Sequence, residues 1–267
     1  MIRDITLGQY YPTDSILHRL DPRVKFIGTM IYLVSIFLFH TYLGYAVAGI
    51  FLIAVLALSK VPPKFVFKGL KPIVVILIIT MAFNIFLTPG TILFQYGIFR
   101  ITVEGLLLAG RMGIRLLFLV TGSSLMTLTT TPKQLTDAIE KIMKPLEKIK
   151  IPVHEISMMM SIALRFIPIL LEETDKIMKA QTARGADFKG GNILQRVKSL
   201  TPILIPLFVS SFRRANDLAL AMESRCYHGG EGRTQMKPLS YHTQDLLAYV
   251  VLVLYLAVSI VFRVAGI

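Results

Sequence analysis

The chain has 267 residues, of which 54% are hydrophobic and 17% are charged, and its formal net charge is +13. Soluble domains usually carry about 25% charged residues, so this composition excludes an ordinary soluble protein and favours an integral membrane protein. The deficit is local, because no acidic residue occurs between Asp21 and Glu104. The single cysteine, Cys226, excludes an intramolecular disulfide framework. Membrane topology, together with an acidic partner or anionic lipid, explains the basic excess, and we expect no nucleic-acid partner.

Apolar segments predict the membrane spans. In chain order they are residues 26–40, 43–59, 72–88, 103–129 and 245–263. The first two are separated by a short uncharged turn at residues 40–42 and therefore form a hairpin. The shorter segments correspond to about 26 Å of helix, which nearly matches the hydrocarbon core of a bilayer. We expect an all-α integral membrane protein with about five transmembrane helices and additional long amphipathic helices on the cytoplasmic side.

Basic residues predict the orientation and the domain organisation. The N-terminal segment, the connection 60–71 and residues 131–244 are rich in lysine and arginine, and the last of these holds 17 of the 29 basic residues. By the positive-inside rule these three segments face the cytoplasm and the C-terminus lies outside. No N-terminal run has the form of a cleavable signal peptide. The predicted domains are a membrane domain over 1–130, a cytoplasmic domain over 131–244 and a final transmembrane helix over 245–267.

Two helix starts carry capping signals. Asp21 followed by Pro22 is typical of an N-cap with proline at the first helical position. Thr131 and Pro132 repeat this pattern, and Gln134 is placed to complete a capping box with Thr131. Both signals agree with the boundaries that hydropathy predicts.

The cytoplasmic domain contains three predicted amphipathic helices, at residues 132–150, 153–184 and 200–225. Pro145 predicts a kink in the first. Charged residues crowd one side of the second helix from Glu172 onward. We predict that none of the three contains an uninterrupted uncharged run of spanning length, and we interpret them as cytoplasmic helices whose middle parts lie near the membrane interface.

The second and third of these helices end in matching sequences. Residues 180–185 (AQTARG) correspond to residues 221–226 (AMESRC) at an offset of 41, and each is followed by a double glycine, at 190–191 and 229–230. A single arginine at a helix end is ordinarily a cation that favours the helix dipole. A pair at matching ends favours docking, because small flanking residues allow close approach while the guanidinium enters an acidic or carbonyl-lined groove.

At these residues the sequence resembles the T component of energy-coupling factor transporters, the transmembrane coupling subunit related to the cobalt-transport Q protein. The resemblance extends over nearly the whole chain. It rests on five segments in this order: 18–25 (HRLDPRVK), 131–138 (TPKQLTDA), 164–168 (LRFIP), 180–187 (AQTARGAD) and 213–223 (RRANDLALAME).

The resemblance implies a division of labour in the cell membrane of a prokaryote. Two cytoplasmic ATPase subunits would bind the two helix ends, and a separate small membrane protein would capture a vitamin or metal. The ATPase-binding residues would be Ala183, Arg184, Gly185, Ser224, Arg225 and Cys226. ATP and magnesium would be used by the partners, with no cofactor bound by this chain. Since the two ends differ in sequence, a heterodimer of ATPases is favoured.

The second end departs from the family pattern at Cys226, where glycine is usual. A non-glycine residue in a left-handed conformation costs about 1 kcal/mol. We therefore expect the helix to continue slightly, so that Tyr227 or His228 begins the turn.

Charged residues also occur within the fourth predicted span. Glu104, Arg111 and Arg115 lie on one helical face, and arginine inside a membrane requires a partner. The favoured interpretation is a position near the interface, with pairing to Glu104, a backbone carbonyl or a lipid phosphate. The alternative is a polar contact within the bundle or with the capture subunit. Glycines at 105, 110 and 113 predict close helix approach.

Two other functions fit the sequence less well than the coupling role. A conventional ABC permease usually shows one coupling loop, whereas this chain has two matched ends. A membrane enzyme of lipid or prenyl metabolism needs a catalytic cluster. Glu172 and Glu173 are paired, but the arginine that CAAX-type proteases would place at position 177 is replaced by Ile177.

The histidines are scattered, so we expect no metal site. No Gly-rich loop ends in Gly-Lys-Ser/Thr, so ATP hydrolysis belongs to a partner.

Overall fold

The computed structural model describes residues 10–39, 41–96, 99–186, 188, 190, 193–230, 236 and 238–264. The helices are α1 (Ile16–Arg19), α2 (Pro22–Leu38), α3 (Tyr42–Ser59), α4 (Pro63–Leu87), α5 (Val103–Thr129), α6 (Pro132–Met143), α7 (Val153–Ala183), α8 (Ile193–Glu223) and α9 (Thr243–Val264). A 3-10 helix, Lys144–Ile149, follows α6, and strands β1 (Ile92–Tyr96) and β2 (Phe99–Thr102) lie between α4 and α5. The helical membrane fold predicted from the sequence is confirmed.

The chain divides into two compact units. One, here called the bundle unit, comprises Gly8–Ala138 with Pro238–Ile267, and the other, the helix-pair unit, contains Ile139–Lys237. The first division falls inside α6, eight residues beyond the boundary predicted at 130. The second lies seven residues before the boundary predicted at 244.

Among the described residues, four helices are long and apolar enough to cross a membrane, namely α3, α4, α7 and α9. Three of them coincide with the predicted spans 43–59, 72–88 and 245–263. The predicted spans 26–40 and 103–129 form helices α2 and α5. Their crossing of the membrane stays a prediction, because α2 has only 17 residues and α5 carries three charged side chains.

Helix α7 is one of the predicted amphipathic cytoplasmic helices. Residues 156–171 carry only one charge, Arg165, and α7 is long and apolar enough to span a membrane. The charges are concentrated in its final third, from Glu172 onward. Arg165 does interrupt the uncharged run, as predicted, but the length and hydropathy of α7 also suit a membrane span, so its interpretation as a cytoplasmic helix stays a prediction.

Helix α4 begins nine residues earlier than the predicted span. Pro62 and Pro63 start it, because a proline at the first helical position loses no hydrogen bond. The connection predicted at 60–71 is reduced to three residues after α3, and Lys64 and Lys68 lie on the helix. Pro72 lies in the helix interior without ending it.

The core of the bundle unit is formed by α2, α3, α5 and α9. Tyr32, Ile36, Tyr45 and Tyr255 are buried in one cluster, against which side chains of α5 pack. Helices α4 and α5 approach closely at Gly105, where a Cβ would lie 2.8 Å from the carbonyl oxygen of Asn84. This contact explains why a residue without a side chain stands at the start of α5.

A buried carboxylate joins the starts of α2 and α9. Asp245 is 1% exposed, and its Oδ1 accepts from the backbone N–H of Asp21 at 2.8 Å while Oδ2 accepts from that of His242 at 2.7 Å. The Asp21 carboxylate in turn accepts from the backbone N–H of Arg23, which confirms the predicted N-cap of α2. The Arg23 guanidinium lies 3.8 Å from the ring centroid of Tyr241. Two helices far apart in sequence therefore begin at the same end of the bundle.

The other predicted helix boundaries are partly correct. The capping box at α6 is confirmed, since Thr131 N–H donates to Gln134 at 3.0 Å and Gln134 N–H donates to Thr131 Oγ1 at 3.3 Å. The predicted kink at Pro145 is instead a change to 3-10 helix that ends at Lys150 (φ 64°). Helix α8 begins at 193, seven residues before the prediction, and includes Pro202. The β1–β2 hairpin was not predicted.

Candidate functional site: two matched helix ends

Helices α7 and α8 each contain 31 residues and carry the two arginine motifs at their C-terminal ends. Both belong to the helix-pair unit. The two final segments, 180–185 and 221–226, each begin with alanine and end with an arginine followed by a residue in the left-handed region. The geometry of the two ends can therefore be compared atom by atom.

The end of α7 is closed by a Schellman motif. The backbone N–H of Ala186 donates to the carbonyl of Gln181 at 3.0 Å, and that of Gly185 donates to the carbonyl of Thr182 at 3.0 Å. Gly185 has φ 91°, a conformation that glycine adopts at little cost. Arg184 is the last residue before this reversal and its side chain is exposed.

The end of α8 repeats the same motif. The N–H of Tyr227 donates to the carbonyl of Met222 at 3.1 Å, and that of Cys226 donates to Glu223 at 2.9 Å. Cys226 has φ 55°, so it occupies the position of Gly185. The prediction that the helix continues and turns at Tyr227 or His228 is wrong. The Schellman hydrogen bonds outweigh the left-handed penalty of about 1–2 kcal/mol at a non-glycine residue.

Both arginines are presented to the exterior of the unit. Ala183, Arg184 and Gly185 are exposed, and so are Ser224, Arg225 and Cys226. Among the described residues, neither guanidinium has an ion pair within 4 Å, whereas the nearby Arg214 has one. Each end therefore offers a cation flanked by small residues, which suits insertion into a groove lined by acidic or carbonyl oxygens.

The two helices run antiparallel. Arg214 Nη2 donates to Glu173 Oε2 at 3.0 Å, and Gln181 Nε2 donates to the carbonyl of Pro202 at 3.4 Å. At the start of α7, a Cβ on Gly230, which follows the end of α8, would lie 2.5 Å from His154 Cδ2. With a rise of 1.5 Å per residue, these contacts separate the two arginines by about 35 Å along the pair.

A polar cluster fixes the start of α7. Glu140 Oε1 lies 3.1 Å from His154 Nδ1, and Ser157 Oγ donates to Glu140 Oε2 at 2.8 Å. The chain that leaves the second arginine end packs on this cluster through Gly230. Sequence reasoning missed these residues, because Glu140 and His154 are 14 positions apart with no motif between them. The first double glycine, 190–191, lies partly outside the described residues.

The charged residues of α5 do not form one cluster. Glu104 accepts a hydrogen bond from the backbone N–H of Thr91 at 2.7 Å. Within the part of the chain that the structure describes, it forms no ion pair with Arg111 or Arg115. Arg115 Nε donates to the hydroxyl of Tyr45 at 3.1 Å, and its Nη2 donates to the carbonyl of Phe39 at 3.4 Å. The Arg111 guanidinium carbon lies 6.0 Å from the ring centroid of Tyr42. Arg115 thus contacts the end of α2 and the start of α3 within the bundle unit.

The fold and these two ends define a class: a helical transmembrane protein that presents a matched pair of arginine-tipped helices. The comparisons with known proteins agree with this class. A model of the cobalt transport protein family (CbiQ) matches residues 13–236. A Clostridium kluyveri protein named energy-coupling factor transporter transmembrane protein EcfT is 51% identical over 266 residues, which cover 99% of this chain and 98% of the relative.

Further relatives carry the same name. The protein from Ruminiclostridium cellulolyticum is 54% identical over 256 residues, covering 96% of each chain, and that from Bacillus subtilis is 46% identical over 264 residues, covering 98% of this chain and 100% of the relative. The chain belongs to the CbiQ family and is the transmembrane component of an energy-coupling factor transporter. The resemblance found in the sequence is confirmed.

Proposed function

We propose that this chain links ATP hydrolysis by two cytoplasmic ATPase subunits to substrate release from a separate vitamin- or metal-binding membrane subunit. Each ATPase would bind one helix end, Ala183-Arg184-Gly185 on α7 or Ser224-Arg225-Cys226 on α8. The observation that carries the proposal is that both ends close with the same Schellman hydrogen bonds and that each exposes one arginine. Two matched ends favour two docking partners.

The antiparallel arrangement supports two separate docking partners. The arginines are about 35 Å apart along the pair, so a single small groove does not reach both. When ATP brings the two ATPases together, the ends bound to them would move together. The stiff helices would transmit this movement to the membrane part and tilt the capture subunit toward release. The transporter is then a two-state system whose equilibrium is biased by nucleotide.

Orientation and partner chemistry follow from charge. The basic N-terminal segment, the start of α4 and the helix-pair unit would face the cytoplasm, and the C-terminus would lie outside. The sequence has no Gly-rich loop ending in Gly-Lys-Ser/Thr, which supports ATP and magnesium binding by the partners and no enzymatic activity of this chain. The differing residues Gly185 and Cys226 support two unlike ATPases, each matched to one end.

Charge reversal tests the docking role. Arg184→Glu and Arg225→Glu, singly and together, are made in the full transporter and purified in mild detergent. Because each ATPase engages one end, each single variant should lose one ATPase, and the double variant should lose both together with substrate uptake. Arg213→Glu, a reversal at another exposed arginine of α8, is the matched control and should retain both ATPases. Unchanged assembly and uptake in the double variant would contradict the proposal.

A further inference from the structure

The bundle unit contains a cavity between α1, α2, α3, α5 and α9. Its volume is about 210 Å³, and it opens to the exterior of the bundle. Its walls are mostly apolar and include Val24, Leu52, Val55, Met126, Ala248 and Leu252. Such walls offer water few hydrogen-bond partners. The wall atoms of a void also lose dispersion contacts, so occupation by an apolar group is favoured.

The depth of the cavity fits a hydrocarbon chain. Val24 and Tyr32 both line it and lie eight residues apart on α2, which gives a depth of about 12 Å. An extended segment of one acyl chain therefore fits along the cavity.

The rim of the cavity faces the surroundings of the bundle. Leu58 near the end of α3 is 49% exposed, Leu247 near the start of α9 is 67% exposed, and Ile16 in α1 is 56% exposed. Helices α3 and α9 are both long and apolar enough to cross a membrane, so we expect Leu58 and Leu247 to meet lipid. A lipid chain therefore reaches the cavity from the side, without passing through water.

Two lysines, Lys25 and Lys60, lie at the end of the bundle where α3 ends and α9 begins. Lys25 lines the cavity, and its ammonium donates to the carbonyls of His18 at 3.1 Å and Thr129 at 3.0 Å. An ammonium has three N–H donors, so one is left for an anionic oxygen at the mouth. Lys60 follows α3 two residues after Leu58, and its side chain is exposed. The four cations here, Arg19, Arg23, Lys25 and Lys60, outnumber the three carboxylates, Asp14, Asp21 and Asp245. The end is therefore weakly positive and complements a negatively charged head group.

We propose that the cavity binds one acyl chain of an anionic phospholipid, with the phosphate at the mouth beside Lys25 and Lys60. An uncharged molecule or a zwitterionic lipid would gain less from these cations. The bound lipid would fill the junction of α2, α3 and α9 and so hold the bundle at its basic end. This site is independent of the two arginine ends and of the ATPases.

Variants in the full chain test the site. The protein is purified from native membranes in mild detergent, and the phospholipids that remain bound are counted by native mass spectrometry. Wild type should retain one anionic phospholipid per chain. Ala248→Phe fills the cavity and should lower this occupancy at least fivefold, whereas Val253→Phe, on an exposed position of the same helix, should not. Equal occupancy in all three proteins would overturn the proposal.

Head-group preference is tested by adding phosphatidylglycerol or phosphatidylcholine with identical acyl chains to delipidated protein. Wild type should prefer phosphatidylglycerol several-fold, and Lys60→Gln should reduce that preference while Lys64→Gln leaves it unchanged. The same result with either lipid in wild type would overturn the anionic assignment.

A labelling experiment on wild type covers the case in which Ala248→Phe does not fold. A phosphatidylglycerol with a photoreactive group near the end of one acyl chain should label cavity-lining positions such as Val55 and Ala248. Labels confined to the outer positions Val250 and Val253 of α9, or a cross-link that places residues 1–9 in the cavity, would contradict lipid occupancy.

Discussion

Cys226 occupies a backbone conformation that favours glycine, and replacing it gives a prediction with a definite sign. At φ 55° a side chain costs about 1–2 kcal/mol. Glycine removes this cost, but its greater conformational entropy also stabilises the locally open chain by about 0.4–1 kcal/mol. Cys226→Gly should therefore stabilise the end of α8 by about 1 kcal/mol, which is about a fivefold change in the local opening equilibrium. Gly185→Ala should destabilise the end of α7 by a similar amount.

Hydrogen–deuterium exchange measures this opening directly. The reporting amides are those that close the Schellman motifs, Tyr227 on α8 and Ala186 on α7. Exchange at Tyr227 should slow about fivefold in Cys226→Gly, and exchange at Ala186 should accelerate about fivefold in Gly185→Ala. Cys226→Ala is the matched control, because it removes the thiol and keeps the Cβ. If Cys226→Gly behaves like Cys226→Ala, the left-handed conformation does not limit this helix end.

Three further predictions concern helix contacts. Gly105→Val should strongly lower the thermal midpoint of unfolding in detergent, because the new Cβ would lie 2.8 Å from the carbonyl oxygen of Asn84. In the control Gly110→Ala, the nearest atom to the new Cβ is 3.8 Å away, so the midpoint should stay unchanged or rise. Asp245→Asn should destabilise by about 1–3 kcal/mol, since an amide cannot accept from both backbone N–H groups; an unchanged midpoint would refute this. A double-mutant cycle on Glu173 and Arg214 should give at most about 1 kcal/mol, falling with added salt, because the pair is partly exposed.

Much of the fold follows from local sequence rules. Asp21 and the Thr131–Gln134 pair mark helix starts correctly, because capping depends on residues only two or three positions apart. The apolar runs that become α3 and α9 are recognisable for the same reason. The matching offset of 41 residues between Arg184 and Arg225 also predicts that the two helix ends have equivalent roles.

The sequence-based predictions fail where a long-range contact, or a second local interaction, determines the structure. Helices α4 and α8 begin nine and seven residues before their predicted starts, and both continue through internal prolines, Pro72 in α4 and Pro202 in α8. At Cys226 the penalty on a single φ angle predicts a longer helix, and two hydrogen bonds of the reversal decide otherwise. The contact of Asp245 with the start of α2 spans 224 residues, so no local pattern announces it.

The ion pair between Glu173 and Arg214 divides the two helices in the same proportions. Each arginine end lies 11 residues beyond this ion pair, so the two short arms are equal, at about 16 Å. The opposite arms, back to Val153 and Ile193, are 20 and 21 residues long, or about 30 Å. If each helix turns about the ion pair as a rigid rod, its far end moves about twice as far as its arginine end.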